Sequence, residues 1–189
     1  MIEIAHGAEA IIYKSKLFKK DICIKQRISK EYRHPFLDKK MIKTRNKEEV
    51  FLLNKIKKIN LNSPYIYYVS ENKIIMEYIY NEKKHTKKLF EIGEEIAKLH
   101  NNNIIHGDLN LINIITNKDK IYFIDFGLGY VSFKLEDKAT DLLVFKKTLK
   151  ALKKTEYFWK DIIKGYLKKT KNKQILKQIE VIEKRARYL

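Results

Sequence analysis

The segment from residue 105 to residue 127 constrains the fold of this chain more than any other. It carries three polar residues, Asp108, Asn113 and Asp125, among apolar neighbours. Apolar side chains between Asp108 and Asn113 would anchor a loop that presents both polar groups outward. Two short strands around a turn at 117–120 would then return the chain so that Asp125 lies beside Asn113. The sequence therefore predicts three oxygen-bearing side chains at one place.

The order and spacing of these residues resemble the protein-kinase signature H-x-D-L-x-x-x-N followed by D-F-G. The chain has His106, Asp108 and Asn113 at the matching positions, and Asp125 begins an Asp-Phe-Gly triplet. The resemblance implies that Asp108 accepts the proton of the attacking hydroxyl, whereas Asn113 and Asp125 hold Mg²⁺ on the phosphates of ATP. The alternative is a hairpin whose polar residues merely cap turns, and it leaves the complete set in this order unexplained.

Length and composition allow one domain or two small lobes, because 189 residues with 44% hydrophobic content can form a packed core. The single cysteine, Cys23, excludes an internal disulfide and lies in an apolar run, where it is expected to be a small buried side chain. The N-terminus lacks the pattern of a signal peptide, and no apolar run is long enough to span a membrane. We therefore expect a cytoplasmic protein without membrane contact.

The net charge of +18 predicts attraction to polyanions, with binding that weakens as salt rises. The chain is also rich in Lys, Ile and Asn, as nucleotide bias in the coding DNA would produce. Compositional drift and nucleic-acid contact explain the charge equally well. Basic residues are densest near the C-terminal end: Lys168, Lys169, Lys171, Lys173, Lys177, Lys184, Arg185 and Arg187.

Short β-type runs at 10–13 and 22–24, joined by polar turns, predict strands near the start of the chain. Gly7 would lie at the tip of a hairpin, where backbone N–H groups could lie over phosphates. With one glycine instead of three, an ordinary turn explains this segment equally well. Lys25 ends the second run and could extend its ammonium group into a cleft, although a lysine there is usually only solvated. Residues 29–40 have no sustained period and predict a basic loop.

Apolar residues at helical spacing predict a helix over residues 43–59 that packs one face against the sheet. In kinases a glutamate of such a helix holds the strand lysine, so that the lysine meets the α and β phosphates of ATP. We expect Glu48 to bind Lys25, since Leu52 follows Glu48 at the packing position four residues later. Glu49 is the competing candidate, one helical step away.

Two further strands are predicted at 65–69 and 73–79, with a polar turn between them. Their continuation resembles the hinge of a kinase. The resemblance implies that the backbone of Glu77 and Ile79 bonds the adenine edge while Met76 lines the pocket behind it. An edge strand that leads into a linker is the alternative interpretation.

The second half of the chain is predicted to be mainly helical, with one helix that leads into the segment of Asp108 and three helices after it. His106 is expected to be a buried, hydrogen-bonded scaffold residue, because Asp108 already occupies the catalytic position. Asp141 is expected to cap the start of a helix. In kinases an aspartate at this point binds the backbone of the catalytic loop.

Taken together, these motifs resemble the small atypical protein kinases of the KEOPS (EKC) complex, the PRPK family. Gly107 replaces the arginine that usually precedes the catalytic aspartate, and the A-P-E segment is missing. The matching segments cover nearly the whole chain: His-Gly-Ala-Glu-Ala at 6–10, Lys-Glu-Tyr-Arg-His-Pro-Phe-Leu-Asp at 30–38, His-Gly-Asp at 106–108, Asp-Phe-Gly-Leu-Gly at 125–129 and Glu-Asp-Lys-Ala-Thr-Asp-Leu at 136–142.

The resemblance implies an α+β, shortened bilobal protein-kinase-like fold, with an antiparallel sheet plus one main helix in residues 1–79. Residues 80–189 would form a helical lobe that ends in a basic helix. The implied activity is that of an ATP- and Mg²⁺-dependent serine/threonine kinase or ATPase. It would work beside a Kae-type threonylcarbamoyltransferase and small accessory subunits, which make threonylcarbamoyladenosine in tRNA, and it would meet tRNA through that complex.

Two other classes compete with this interpretation. Aminoglycoside- and sugar-type phosphotransferases also use H-G-D-L-x-x-x-N, but they need a larger helical region to enclose their substrate. A pseudokinase scaffold is disfavoured because every phosphate and metal position is intact. The activation segment at 127–141 is too short for the usual peptide platform, which favours a protein that works inside an assembly.

Overall fold

An antiparallel sheet of five strands forms the N-terminal part of the protein in a computed structural model that describes residues 1–82, 87–151 and 155–185. The spatial order of the strands is β1-β2-β3-β5-β4, so that β3 lies at the centre. The strands are β1 (Ile2–His6), β2 (Ala10–Leu17), β3 (Lys20–Arg27), β4 (Ile66–Val69) and β5 (Lys73–Glu77). The strand predictions near the start of the chain and around residues 65–79 are confirmed.

Helix α1 (Pro35–Lys58) lies between β3 and β4 in the sequence and begins about two turns earlier than predicted. The stretch expected to be a basic loop contains its first turns, because a proline at the first helical position needs no N–H partner and has a φ angle suited to a helix. The helix buries Leu52, Leu53 and Ile56. This face packs into the main hydrophobic core of the protein.

The chain after residue 88 is mainly helical, as predicted, with short strands around the motif segment. The elements are α2 (Leu89–Asn101), β6 (Ile104–Ile105), a 3-10 turn (Leu111–Asn113), β7 (Ile114–Asn117), β8 (Lys120–Phe123), β9 (Tyr130–Val131), α3 (Leu135–Ala151), α4 (Thr155–Lys169) and α5 (Ile175–Arg185). Strand β6 pairs with β9, and β7 forms a hairpin with β8. The result is the α+β architecture that the sequence predicts.

Helices α2 and α4 pack with their backbones in contact at two glycines. A Cβ atom on Gly93 would lie 1.9 Å from the Ile162 carbonyl oxygen, and one on Gly165 would lie 1.9 Å from the Phe90 carbonyl oxygen. Both distances are far below van der Waals contact, so a larger residue at either position must separate the helices. Since α2 leads directly into β6, this contact also determines where the following loop begins.

Within the described residues, no helix is both long enough and apolar enough to cross a bilayer. The division of the chain into lobes at residues 79 and 80 stays a prediction. Arg187, the last of the predicted basic C-terminal residues, lies outside the described residues.

Candidate active site

A cleft of about 620 Å³ lies between the sheet and the loop that follows β6. This volume is in the usual range for a small-molecule site. Four residues of the predicted site line the cleft together: Lys25, Asp108, Asn113 and Asp125. The structure therefore brings the strand lysine and the motif residues to one place, although they are far apart in the sequence.

Lys25 lies at the base of the cleft and is 5% exposed. Its Nζ atom donates hydrogen bonds to Glu49 Oε1 at 2.7 Å and to Asp125 Oδ1 at 2.6 Å. Burial by itself would lower the pKa of Lys25, but the negative charges of Glu49 and Asp125 outweigh burial and raise it. Lys25 is therefore a cation at neutral pH, held at the meeting point of the sheet, α1 and the Asp-Phe-Gly segment.

Glu49 binds Lys25, and the prediction for Glu48 is wrong. Glu49 is 0% exposed, whereas Glu48 lies on the exposed side of α1. The prediction relied on a buried leucine four residues after the glutamate. Leu52 follows Glu48 and Leu53 follows Glu49 at this spacing, and both leucines are buried, so the criterion fits either glutamate. The rotation of the helix was decided by its packing in the core, which sequence periodicity could not resolve to one residue.

Asp125 has a backbone φ of 59°, in the left-handed region that residues other than glycine rarely adopt. Its Oδ1 atom accepts hydrogen bonds from Lys25 and, at 3.2 Å, from the Gly127 backbone N–H. Burial would raise the pKa of Asp125, but the positive charge of Lys25 outweighs it, and the pKa is lowered. Its Oδ2 atom accepts no hydrogen bond from the part of the chain that the structure describes, so an anionic oxygen is available in the cleft.

The loop that carries Asp108 is held by two asparagines. The Asn110 side chain accepts hydrogen bonds from the backbone N–H groups of Ile112 and Asn113 and caps the 3-10 turn. The Asn113 side-chain amide donates to the Asp108 backbone oxygen at 2.9 Å and to Asp108 Oδ2 at 3.0 Å. Asn113 is buried, whereas Asp108 is exposed at the mouth of the cleft. The loop thus presents one carboxylate to an incoming group and keeps its neighbour fixed.

Asp141 fixes the backbone just before Asp108. Its two carboxylate oxygens accept hydrogen bonds from the backbone N–H groups of His106 at 2.9 Å and Gly107 at 3.0 Å. Asp141 lies in the middle of α3, so the prediction that it caps a helix start is wrong, while the contact with the loop backbone is present. A buried carboxylate that accepts several hydrogen bonds stays ionised. Although burial would raise the pKa of Asp141, its hydrogen bond with His100 and the other contacts lower it.

Gly107 takes the place of the usual arginine because its backbone allows no side chain. Its φ is 82°, and a Cβ atom there would lie 2.1 Å from the Leu128 carbonyl oxygen. The preceding residue, His106, is fully buried, and burial lowers the pKa of its imidazole. The neutral ring donates from Nε2 to the Ile124 carbonyl oxygen at 3.0 Å, immediately before Asp125. His106 therefore has the scaffold position expected from the sequence.

The predicted hinge and glycine turn also line the cleft. Met76 is buried, and Glu77 donates its backbone N–H to the Tyr65 carbonyl oxygen at 2.7 Å. Contact of the Glu77 and Ile79 backbone with an adenine edge stays a prediction. Gly7 donates its backbone N–H to the Ala10 carbonyl oxygen at 2.9 Å within the turn, so this N–H is not available to a phosphate.

The donor set in the cleft fits Mg²⁺. This ion is usually held by one or two carboxylates together with phosphate oxygens and water, and it needs no complete protein cage. Asp125 Oδ2 and the Asn113 side-chain oxygen are the groups that could hold it. The described residues contain no group of three or more His, Cys, Asp or Glu side chains arranged for a metal.

Sequence reasoning missed Arg27 and Asn46, which complete the contacts of Glu49. Arg27 Nη2 donates to Glu49 Oε2 at 2.7 Å, and Arg27 Nε donates to Asn46 Oδ1 at 2.7 Å. Strand alternation could have found Arg27, because residues two apart on a strand lie on the same face. Lys25 and Arg27 are such a pair, and both are buried.

The fold and the geometry of the cleft define a protein of the kinase class, and comparison with known proteins agrees with the fold. A family model described as RIO domain matches residues 11–144. The solved structure of the Rio2 kinase-ADP/Mg²⁺-phosphoaspartate complex from Chaetomium thermophilum is similar with a TM-score of 0.67 at 15% sequence identity. That alignment covers 98% of this chain and 70% of the solved chain. The kinase-like fold is thereby confirmed.

Curated relatives narrow the family further. The EKC/KEOPS complex subunit BUD32 of Enterocytozoon bieneusi is 40% identical over 99% of this chain and 98% of its own length. The KEOPS complex subunit Bud32 of Pyrococcus abyssi is 34% identical over 98% of this chain and 95% of its own length. The chain belongs to the RIO-domain family and, within it, to the Bud32 proteins.

A third group of relatives is longer than this chain. The probable bifunctional tRNA threonylcarbamoyladenosine biosynthesis protein of Methanosphaera stadtmanae is 44% identical over 97% of this chain, but the chain covers 36% of that protein. This chain therefore corresponds to about a third of the length of the bifunctional relatives, and the rest of their sequence lies outside the similarity.

Proposed function

We propose that this protein is an ATP- and Mg²⁺-dependent atypical kinase and ATPase that works as a subunit of the KEOPS complex and supports formation of threonylcarbamoyladenosine in tRNA. The observation that carries the proposal is the convergence of Lys25, Asp108, Asn113 and Asp125 on one cleft. The relatives that match over nearly their whole length are named KEOPS subunits, which favours this function over a small-molecule phosphotransferase.

Each of these four residues has a part in the proposed reaction. Lys25, fixed by Glu49, would hold the α and β phosphates of ATP by its positive charge. Asp125 and Asn113 would hold Mg²⁺, which when bound neutralises negative charge on the phosphates. Asp108 is exposed at the mouth of the cleft, where it can accept a proton from an attacking hydroxyl group.

The acceptor of the phosphoryl group can be a serine or threonine hydroxyl or a water molecule. Asp108 can orient either one and take its proton, because the exposed carboxylate is fixed by the Asn113 amide at 3.0 Å. The activation segment supplies little surface for a peptide. We therefore favour ATP hydrolysis inside the assembly as the main reaction, with serine/threonine phosphorylation as a second activity.

The proposed partner is supported by the names of the relatives, and the proposed contact with tRNA is supported by the positive charge of the chain. The names of the longer relatives join this region to threonylcarbamoyladenosine biosynthesis, which supports a threonylcarbamoyltransferase as a neighbour. Exposed lysines near the C-terminal end supply a surface for tRNA phosphates. These residues are Lys168, Lys169, Lys171 and Lys173. The compartment we propose is the cytoplasm, because a chain with one cysteine suits a reducing environment.

The deciding experiment measures ATP turnover and nucleotide binding with and without Mg²⁺, for the protein alone and with a threonylcarbamoyltransferase partner. We expect Asp125→Ala to abolish the Mg²⁺-dependent part of ATP binding, because it removes the free carboxylate oxygen. Asp119→Ala is a matched control, since Asp119 is an exposed aspartate outside the cleft. A wild-type protein whose ATP affinity is the same with and without Mg²⁺ would contradict the proposal.

A further inference from the structure

The buried guanidinium of Arg27 lines the cleft beside the proposed phosphate site and has no role in the proposed reaction. Arg27 is 5% exposed and follows Lys25 by two positions on β3. Arg27 Nη2 donates to Glu49 Oε2 at 2.7 Å, while Lys25 Nζ donates to Glu49 Oε1 at 2.7 Å. Lys25 Nζ also donates to Glu49 Oε2 at 3.0 Å, so one buried carboxylate binds two cations and its Oε2 atom accepts from both.

Arg27, Lys25 and Glu49 are buried, and together with the partly exposed Asp125 they form a charge cluster of two positive and two negative groups. A buried ion pair is stable only when its remaining hydrogen-bonding positions are also satisfied. Because Lys25 is shared between Glu49 and Asp125, Arg27 supplies the shorter of the two hydrogen bonds to Glu49 Oε2, at 2.7 Å against 3.0 Å from Lys25. Loss of Arg27 would leave the cluster with an excess negative charge directly beside the place proposed for phosphates.

Arg27 also connects helix α1 to the sheet. Its Nε donates to Asn46 Oδ1 at 2.7 Å, and the Asn46 amide donates to the Glu71 carbonyl oxygen at 3.0 Å, in the turn between β4 and β5. Asn46 lies one helical turn before Glu49. One guanidinium therefore binds two successive turns of α1 and joins that helix to the sheet.

The same guanidinium packs against the Asp-Phe-Gly segment. A Cβ atom on Gly127 would lie 3.0 Å from Arg27 Nη2 and 3.1 Å from Asp125 Oδ1. Arg27 therefore contacts α1 through Glu49 and lies against the segment of Asp125. Geometry in phosphate sites is sensitive, since a displacement of about 1 Å can cost a factor of about 100 in rate.

We propose that Arg27 is a positioning residue for the phosphates of the nucleotide. It holds the Glu49 carboxylate in place, and the Lys25 ammonium therefore stays between Glu49 and Asp125. The Lys25–Glu49 ion pair is thereby a fixed part of the fold. This inference rests on the proposed function, because it assumes that Lys25 meets phosphates. It adds that a second cation, bound to the same carboxylate as Lys25, determines how well Lys25 does so.

The test compares the affinities of Arg27→Met for MgATP and for adenosine by calorimetry. Adenosine keeps the base and sugar but lacks phosphates, so a phosphate-positioning defect should weaken MgATP binding about tenfold or more and leave adenosine binding unchanged. Arg27→Lys should recover part of the loss, because a lysine can pair with Glu49 but cannot also donate to Asn46. Lys43→Met removes a positive charge at an exposed position of α1 and serves as the control.

The outcomes separate the inference from the function on which it rests. Equal losses of adenosine and MgATP affinity in the Arg27 variants would mean a general structural role and would overturn the inference. The inference also fails if Arg27→Met and Arg27→Lys bind MgATP like wild type while Lys25→Met loses phosphate-dependent affinity. If wild type binds MgATP no better than adenosine, the proposed function fails and the inference falls with it. Arg27→Lys preserves the charge, so it keeps the comparison usable if Arg27→Met does not fold.

Discussion

Replacement of Glu49 with glutamine removes the carboxylate that both Lys25 and Arg27 bind. Removal of one partner from a buried ion pair usually destabilises a protein by about 3–5 kcal/mol. We expect the lower end, about 3 kcal/mol, because Lys25 keeps its contact with Asp125, Arg27 keeps Asn46, and glutamine retains one acceptor oxygen. In a chain of this size that loss lowers Tm by roughly 6–12 °C.

The matched control is Glu48→Gln, the same chemical change one residue earlier on the exposed side of α1. It should shift Tm by no more than about 2 °C, as surface substitutions do. Thermal unfolding followed by circular dichroism gives both numbers, and MgATP affinity should fall only in Glu49→Gln. If the two variants are equally stable, or if Glu48→Gln is the weaker nucleotide binder, the assignment of the ion pair to Glu49 is incorrect.

Four other perturbations test the cleft, the loop that supports it and the exposed C-terminal lysines. Asp108→Asn should lower ATP turnover while nucleotide affinity stays near wild type, and turnover at the wild-type rate would remove Asp108 as the base. Below about pH 6.5 stability should fall, because the unfolded chain protonates His106 while burial keeps the folded imidazole neutral. His106→Gln should flatten that slope in urea unfolding measured from pH 7 to pH 5, and an unchanged slope would point to another group. Gly107→Ala should lower Tm and turnover together, since its Cβ atom would meet the Leu128 carbonyl at 2.1 Å, and a neutral result would mean that this turn adapts. In the assembled complex, a quadruple Gln variant should show a shallower slope of log affinity for tRNA against log salt, and identical slopes would make these lysines a solvated surface. The four positions are Lys168, Lys169, Lys171 and Lys173.

The local part of the site could be predicted because its residues are close in sequence. Asp108, Asn113 and Asp125 lie in one loop and one hairpin, so turn chemistry and apolar anchors are enough to bring them together. The pattern could place Lys25 on a strand, although that strand continues to Arg27 and does not end at Lys25 as predicted. The depth of Lys25 in the protein could not be predicted. The burial of Lys25 depends on α1 and on the Asp-Phe-Gly segment, and both lie elsewhere in the sequence.

The errors share a cause, which is that the sequence of a helix alone determines neither its rotation nor the residue at which it begins. Glu48 and Glu49 both precede a leucine by four residues, and only the packing of α1 in the core selects Glu49. Asp141 has the residue type of a helix cap, yet the helix begins at Leu135 and the carboxylate serves the loop of His106 instead. In each case a contact with a distant part of the chain decided the outcome.

The glycine contact between α2 and α4 has a consequence for how sequence variation in this protein should be interpreted. Gly93 and Gly165 have no chemistry, but a methyl group at either position would force apart the helix that carries the loop of Asp108. A saturation mutagenesis screen should therefore find these two positions nearly as intolerant as the catalytic aspartate. Intolerance there would report the spacing of two helices, and it should not be mistaken for a second functional site.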